Sequence, residues 1–112
     1  MPHICLTYTQ GLQKYADDIV QVLSNELEKL GFNKAGIKSY GIQIGTSCVG
    51  GELNADMVHL NLRVMNKAER ISEVIEDWLV KLSAITAKQL PHDCCFTAEV
   101  NFLPKLYKSK TA

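Results

Sequence analysis

The spacing of apolar residues changes twice in the same order along 112 residues, and few folds accommodate that pattern. Ile4, Leu6 and Tyr8 alternate with His3, Cys5 and Thr7, the period-two signature of a half-buried strand. Past Gly11 the period becomes helical. Ala16, Val20, Leu23, Leu27 and Leu30 step by four, three, four and three, which puts them on one stripe. Asp17, Asp18, Glu26, Glu28 and Lys29 fall mostly outside it, the two aspartates near the start, where the helix dipole favours negative charge. Gly31 suits the left-handed residue that ends a helix. A second strand is expected over Ile37 to Ile44, entered through Gly36, and the glycine-rich run Gly45 to Gly51 reads as a loop. Then the order repeats. Val58, Leu60, Leu62 and Val64 alternate with His59, Asn61 and Arg63, and Ile71, Ile75, Trp78, Leu82 and Ile85 renew the helical stepping. Asn66 with Glu69 three residues later forms a capping-box-like pair, and Pro91 stops the helix. Phe96, Ala98, Val100 and Phe102 alternate with Thr97, Glu99 and Asn101 as a last strand.

The two helical stripes superpose at an offset of 55 residues (16 to 71, 20 to 75, 23 to 78, 27 to 82, 30 to 85), a repeat of pattern rather than of residues. Each half is a βαβ unit, whose crossover is right-handed and whose strands are parallel. The expected fold class is therefore α/β: two βαβ units forming one four-stranded mixed sheet with both helices on one face, as a single domain over 1–112. The other face would carry His3, Cys5, Thr7, His59, Asn61, Arg63, Thr97, Glu99 and Asn101. It is polar and mostly short-chained, suited either to water or to packing against copies of itself. A chain this short buries only about two-thirds of its unfolded surface, so oligomerisation would add to a modest core. The tail from Pro104, with Lys105, Lys108 and Lys110, is read as a solvated end.

Charge excludes several partners. Twelve basic and twelve acidic residues cancel, leaving no electrostatic footprint for nucleic acid or an anionic membrane. No stretch approaches the roughly 20 apolar residues of a membrane span. The start Met1-Pro2-His3-Ile4-Cys5 lacks the basic region and apolar run of a secretory signal, so a cytoplasmic protein is expected. His92 and Asp93 precede the adjacent pair Cys94 and Cys95, residue types a metal could use, but adjacent cysteines lack the spacer of zinc sites. With Cys5 and Cys48 they are read as reduced thiols, and neither metal nor organic cofactor is expected. Phosphate-loop, HExxH and GxSxG patterns are absent. Asp17 and Asp18 point about 100° apart on a helix and cannot share a proton.

Pro2 is the residue that stands out, although many chains begin Met-Pro for no catalytic reason. Removal of Met1, expected before a residue as small as proline, leaves a secondary amine at the chain start. An α-amino group has a reference pKa near about 8, and apolar surroundings or neighbouring cations lower it by disfavouring the ammonium. A rigid amine near neutrality is a good general base for moving a proton between carbon and oxygen.

Met1-Pro2-His3-Ile4 opening into a strand, Ala35-Gly36-Ile37-Lys38-Ser39, Met57-Val58-His59-Leu60-Asn61-Leu62-Arg63 and Phe96-Thr97-Ala98-Glu99-Val100 together resemble the 5-carboxymethyl-2-hydroxymuconate isomerases. These are small members of the tautomerase superfamily, and the resemblance spans nearly the whole chain. It implies the two-βαβ sheet assembled as a homotrimer around a central cavity. It also implies a dienol-to-2-oxo-acid tautomerase with Pro2 as base, no cofactor, and basic side chains holding the substrate's carboxylates and polarising its carbonyl. The chain departs from the family where Arg-Ser-Arg is usual. Lys38-Ser39-Tyr40 keeps a cation at Lys38 without the bidentate fork, and a donor at Tyr40 without the charge. A further family arginine after the third strand has Lys67 or Arg70 as its nearest counterpart. The expected site is thus Pro2 as base with Lys38, Tyr40 and Arg70 binding a small carboxylate substrate. His59 is read as structural and Tyr8 as core with its hydroxyl at an edge. The alternatives are a non-catalytic trimeric ligand-binding or structural protein of the same fold, and a hydrolytic dehalogenase using the same base.

Overall fold

A computed structural model describes residues 2–91 and 94–108. Strand β1 (His3–Thr9) leads through a short 3-10 turn into helix α1 (Gln13–Lys29), and β2 (Lys38–Ile44) returns beside β1 in parallel. A two-residue-stranded hairpin, β3 (Cys48–Val49) and β4 (Glu52–Leu53), precedes β5 (Met57–Val64). Helix α2 (Ser72–Gln89) and β6 (Cys95–Phe102) complete the second unit, β6 lying parallel to β5. The units join through antiparallel β1 and β5, giving the sheet order β2-β1-β5-β6 with β2 and β6 as open edges.

Alternation decides the faces. Ile4, Leu6, Val58, Leu60, Leu62 and Val64 are each no more than 1% exposed and meet Leu12, Ile19, Leu23, Leu27 and Leu82 from the helix side. At about 25 cal/mol per Å² of apolar area, this layer supplies the main stabilising term. The expected stripe on α1 is close to the observed one, except that Ile19 is buried while Val20 and Leu30 lie at its flanks. Residue 19 lies three past Ala16 and four before Leu23, so it shares their side of the helix.

Gly31 ends α1 as expected, at φ 102°. Phe32 N donates to Leu27 O and Gly31 N to Glu28 O, both at 3.1 Å. That pair of bonds satisfies two of the helix's last carbonyls and sends Phe32 back onto the core.

Three expectations are corrected. Asn66 and Glu69 do not cap α2, which starts at Ser72 with Ile71 as its cap residue and no side-chain cap bond. Residues 67–70 instead close their own turn, Arg70 N donating to Lys67 O at 3.0 Å. The Gly45–Gly51 stretch is not all loop: Gly50 and Gly51, both at positive φ, make the tight turn between β3 and β4. The tail from Pro104 is partly docked, through Tyr107 within it and Leu103 just before it. Leu103 is buried with its N–H bonded to Val64 O at 2.7 Å, and Tyr107 Oη is hydrogen-bonded to His3 Nε2 at 2.6 Å. Leu106, by contrast, is 98% exposed, and Lys110 lies outside the described residues. No described helix is long and apolar enough to cross a membrane.

Candidate active site

Pro2 is buried just before β1, with the parity of Ile4 and Leu6, so its side chain lies on the helix side of the sheet. Its carbonyl accepts from Lys38 N at 3.0 Å, which begins the β1–β2 ladder and fixes the residue in place. Around it opens a cleft of about 460 Å³, lined by Pro2, Gly31, Phe32, Asn33, Gly36, Lys67 and Arg70 among others. Three segments converge there: the chain start, the turn that ends α1, and the 67–70 turn after β5. Asn33 holds the middle segment, its Oδ1 accepting from Ala35 N at 3.0 Å.

Arg70 is the best-fixed cation of the cleft. Its guanidinium carbon stands 5.2 Å from the Phe32 ring centre and 5.6 Å from that of Trp78, and Nη1 donates to Met65 O at 2.5 Å. Among the described residues no carboxylate lies within 4.0 Å of Arg70 or of Lys67, because the three ion pairs found are Lys29–Glu26, His59–Glu99 and Lys81–Asp77. The charge of both side chains is therefore available to an anion. Arg70 and Lys67 also border a second, more apolar groove of about 650 Å³ running along Ile71, Ile75 and Phe102.

Although the Lys38 backbone bonds to Pro2, the side chains of Lys38 and Tyr40 do not line the Pro2 cleft within one chain. The β1–β2 register pairs Lys38 with His3 and Tyr40 with Cys5, so both share the helix-free face with those residues. There Lys38 and Arg63 flank His3, whose pKa is lowered by burial first and then by these two cations. Cys5 is raised by burial, a rise opposed by the Tyr40 hydroxyl and Arg63. Farther along the same face His59 bridges Thr97 Oγ1 at 2.7 Å and Glu99 Oε1 at 3.0 Å, and its hydrogen bond holds the Glu99 carboxyl below its ordinary value. Tyr8 is buried, with its hydroxyl donating to Gln13 Oε1 at 3.0 Å.

Phe32 and Trp78 had no functional signal in the sequence beyond their apolar character; only the packing of the α1 end and α2 around Arg70 reveals them. Among the described residues no group of three or more His, Cys, Asp or Glu is placed to hold a metal, and His92 and Asp93 lie outside those residues.

No protein-family model and no curated protein matches the sequence. Solved structures do match the fold. A 5-carboxymethyl-2-hydroxymuconate isomerase from Deinococcus radiodurans superposes with a TM-score of 0.80 at 20% identity, over 99% of this chain and 90% of that one. Pt0534, solved after inactivation by 2-oxo-3-pentynoate, gives 0.72 at 14% identity over 96% and 91%. A fused 4-OT wild-type protein, solved as a symmetric trimer, gives 0.67 at 21% identity over 90% and 86%. At these identities the likeness is one of fold, and the fold is tautomerase-like.

Proposed function

We propose that the chain is a tautomerase that moves a proton between oxygen and carbon of a 2-oxo acid, with the Pro2 nitrogen as the base. The observation that carries this reading is the cleft in which buried Pro2 faces Lys67 and Arg70, neither held by a carboxylate among the described residues. Once Met1 is removed, Pro2 is a secondary amine in a setting where burial and two cations both disfavour the ammonium. The neutral amine accepts the 2-hydroxyl proton of an enol or dienol and returns a proton to carbon, giving the 2-oxo acid with no net proton consumed. Arg70 holds the carboxylate, and Lys67 stabilises charge developing on the carbonyl oxygen. The reaction balances without cofactor or metal. A reaction of the 5-carboxymethyl-2-hydroxymuconate isomerase kind, within aromatic-compound breakdown, is the specific form we favour.

We further propose a homotrimer. Two open edges, β2 and β6, and a helix-free, mostly polar face, half-buried on β1 and β5 and exposed on β6, give the sheet surface to share. In such an assembly Lys38 and Tyr40 are presented to a neighbouring copy and bind the substrate's carboxylate across the boundary. Their separation from Pro2 within one chain is also what favours the second reading, a non-catalytic trimeric binder of small acids.

The test is ultraviolet-monitored ketonisation of 2-hydroxy-dienoates and aryl-pyruvate enols, run beside labelling with 2-oxo-3-pentynoate, an ynone acid to which an amine adds. Turnover together with labelling at Pro2 supports the enzyme. Saturable binding of 2-oxo acids with neither turnover nor labelling selects the binder instead.

A further inference from the structure

A carboxylate that orients an arginine also neutralises the charge it orients. Arg70 is oriented differently. Phe32 lies at 5.2 Å and Trp78 at 5.6 Å from its guanidinium carbon, and the two rings meet edge to face at 5.1 Å and 63°. The backbone carbonyl of Met65 takes one donor of Nη1. A guanidinium has five N–H donors, so four remain after that bond. Rings and a carbonyl restrict the side chain without cancelling its positive charge, which a carboxylate partner would do.

The two rings are themselves held by different elements. Phe32 is placed by the bonds that close α1 at Gly31, and Trp78 projects from α2 and packs against the core. Arg70 thus reports the relation of α1 to α2 at the mouth of the Pro2 cleft. Gly31, Phe32 and Arg70 line both that cleft and a smaller hollow of about 280 Å³, which Trp78 and Glu69 also line. Arg70 is therefore held where it borders both spaces, with Phe32 beside it in each.

We infer that Phe32 and Trp78 are positioning residues that hold Arg70 toward the Pro2 cleft, so that an incoming carboxylate meets a preset guanidinium. This rests on the reading of Arg70 as the carboxylate-binding residue. The clamp acts on binding and leaves the proton transfer at Pro2 untouched.

The test uses the full chain and 2-oxobutyrate, a 2-oxo acid that rests almost wholly in its keto form and so undergoes no net conversion, with affinity read by calorimetry. Trp78→Leu keeps bulk and loses the ring face. It is expected to weaken 2-oxobutyrate binding about two- to fivefold, the range of one partly exposed cation–π contact. Trp78→Phe should recover most of that loss. In an Arg70→Gln background, Trp78→Leu should add nothing. In turnover assays the loss should fall on KM, with kcat within about twofold. Phe32→Leu guards against misfolding of the Trp78 variants. It leaves the single tryptophan as a fluorescent reporter, whose response to 2-oxobutyrate should shift to higher concentration. Equal affinity in wild type, Trp78→Leu and Phe32→Leu overturns the clamp, as does an undiminished Trp78→Leu effect without Arg70. If 2-oxobutyrate binds as described while no enol is turned over, the clamp stands and the tautomerase reading fails.

Discussion

Gly11 offers a test of the junction between the two βαβ units that can be worked through from distances. A Cβ at residue 11 would stand 2.5 Å from Asp56 Oδ1 and 2.9 Å from Oδ2, closer than atoms approach without something moving. The carboxylate is not free to move at no cost. Thr9 Oγ1 donates to Asp56 Oδ1 at 2.9 Å and in turn accepts from Met57 N at 3.2 Å, tying the end of β1 to the start of β5. Gly11→Ala should therefore break the Thr9–Asp56 bond, a loss of about 1.5–3 kcal/mol for a hydrogen bond to a charged group. Gly11 is not among the positive-φ glycines, so alanine is compatible with its backbone and recovers about 0.4–1 kcal/mol by restricting the unfolded chain. The net expectation is a destabilisation of about 0.5–2.5 kcal/mol. Removing the obstacle reverses the sign. In an Asp56→Ala background the same Gly11→Ala change should stabilise by about 0.4–1 kcal/mol. Urea unfolding of the four proteins at one fixed protein concentration measures this, since an oligomer's midpoint shifts with concentration. Equal effects of Gly11→Ala with and without Asp56 would show that the steric account is wrong.

Other expectations follow from the site and its surroundings. Light scattering at micromolar concentration should give three times the chain mass, and a monomer there would remove any site built between copies. Arg70→Gln should lower kcat/KM for an acidic enol by about 10- to 150-fold, equivalent to a charge-assisted bond of about 1.5–3 kcal/mol. Lys38→Ala should cost a similar amount if Lys38 serves a neighbouring copy, and an unchanged kcat/KM takes it out of the site. His3 is depressed below its ordinary 6.5 by burial, Lys38 and Arg63. The unfolded chain then binds the extra proton first, so stability should fall as pH drops below about 6.5 and level off once the folded His3 is also protonated. His3→Gln should flatten the thermal-unfolding midpoint across that window, and an unchanged slope would exclude His3 as its source.

Much of the fold could be read from spacing alone because strands and helices write different periods on the chain. Ile4, Leu6, Leu60 and Leu62 alternate as buried strand residues must, and Gly31 marks the end of α1 by the one conformation it tolerates better than other residues. The start of α2 was less legible. Ile71 continues the apolar stepping but is 54% exposed, because the helix begins only beyond it and the stripe there overhangs the edge strand β6. The cleft was legible only through Pro2 and the choice between Lys67 and Arg70, and both of these line it. Lys38 and Tyr40 do share one side of a strand, as their spacing says. Which side depends on the register of β2 against β1, and periodicity does not fix register between strands. Phe32 and Trp78 lie 46 residues apart, and nothing short of the packed helices brings them to Arg70.

The account turns on the Pro2 nitrogen, and one comparison tests it most directly. Intact mass first establishes whether Met1 is absent from the native protein. Ketonisation of a 2-hydroxy-dienoate is then followed as a function of pH for that protein and for a variant with one residue inserted before Pro2. A general base works when deprotonated, so kcat/KM should rise with pH through a value below that of an unperturbed secondary amine. The insertion turns the amine into an amide and should abolish turnover while the unfolding midpoint stays where it was. Sustained ketonisation by the extended protein, or by a native protein that keeps Met1, would show that Pro2 is not the base.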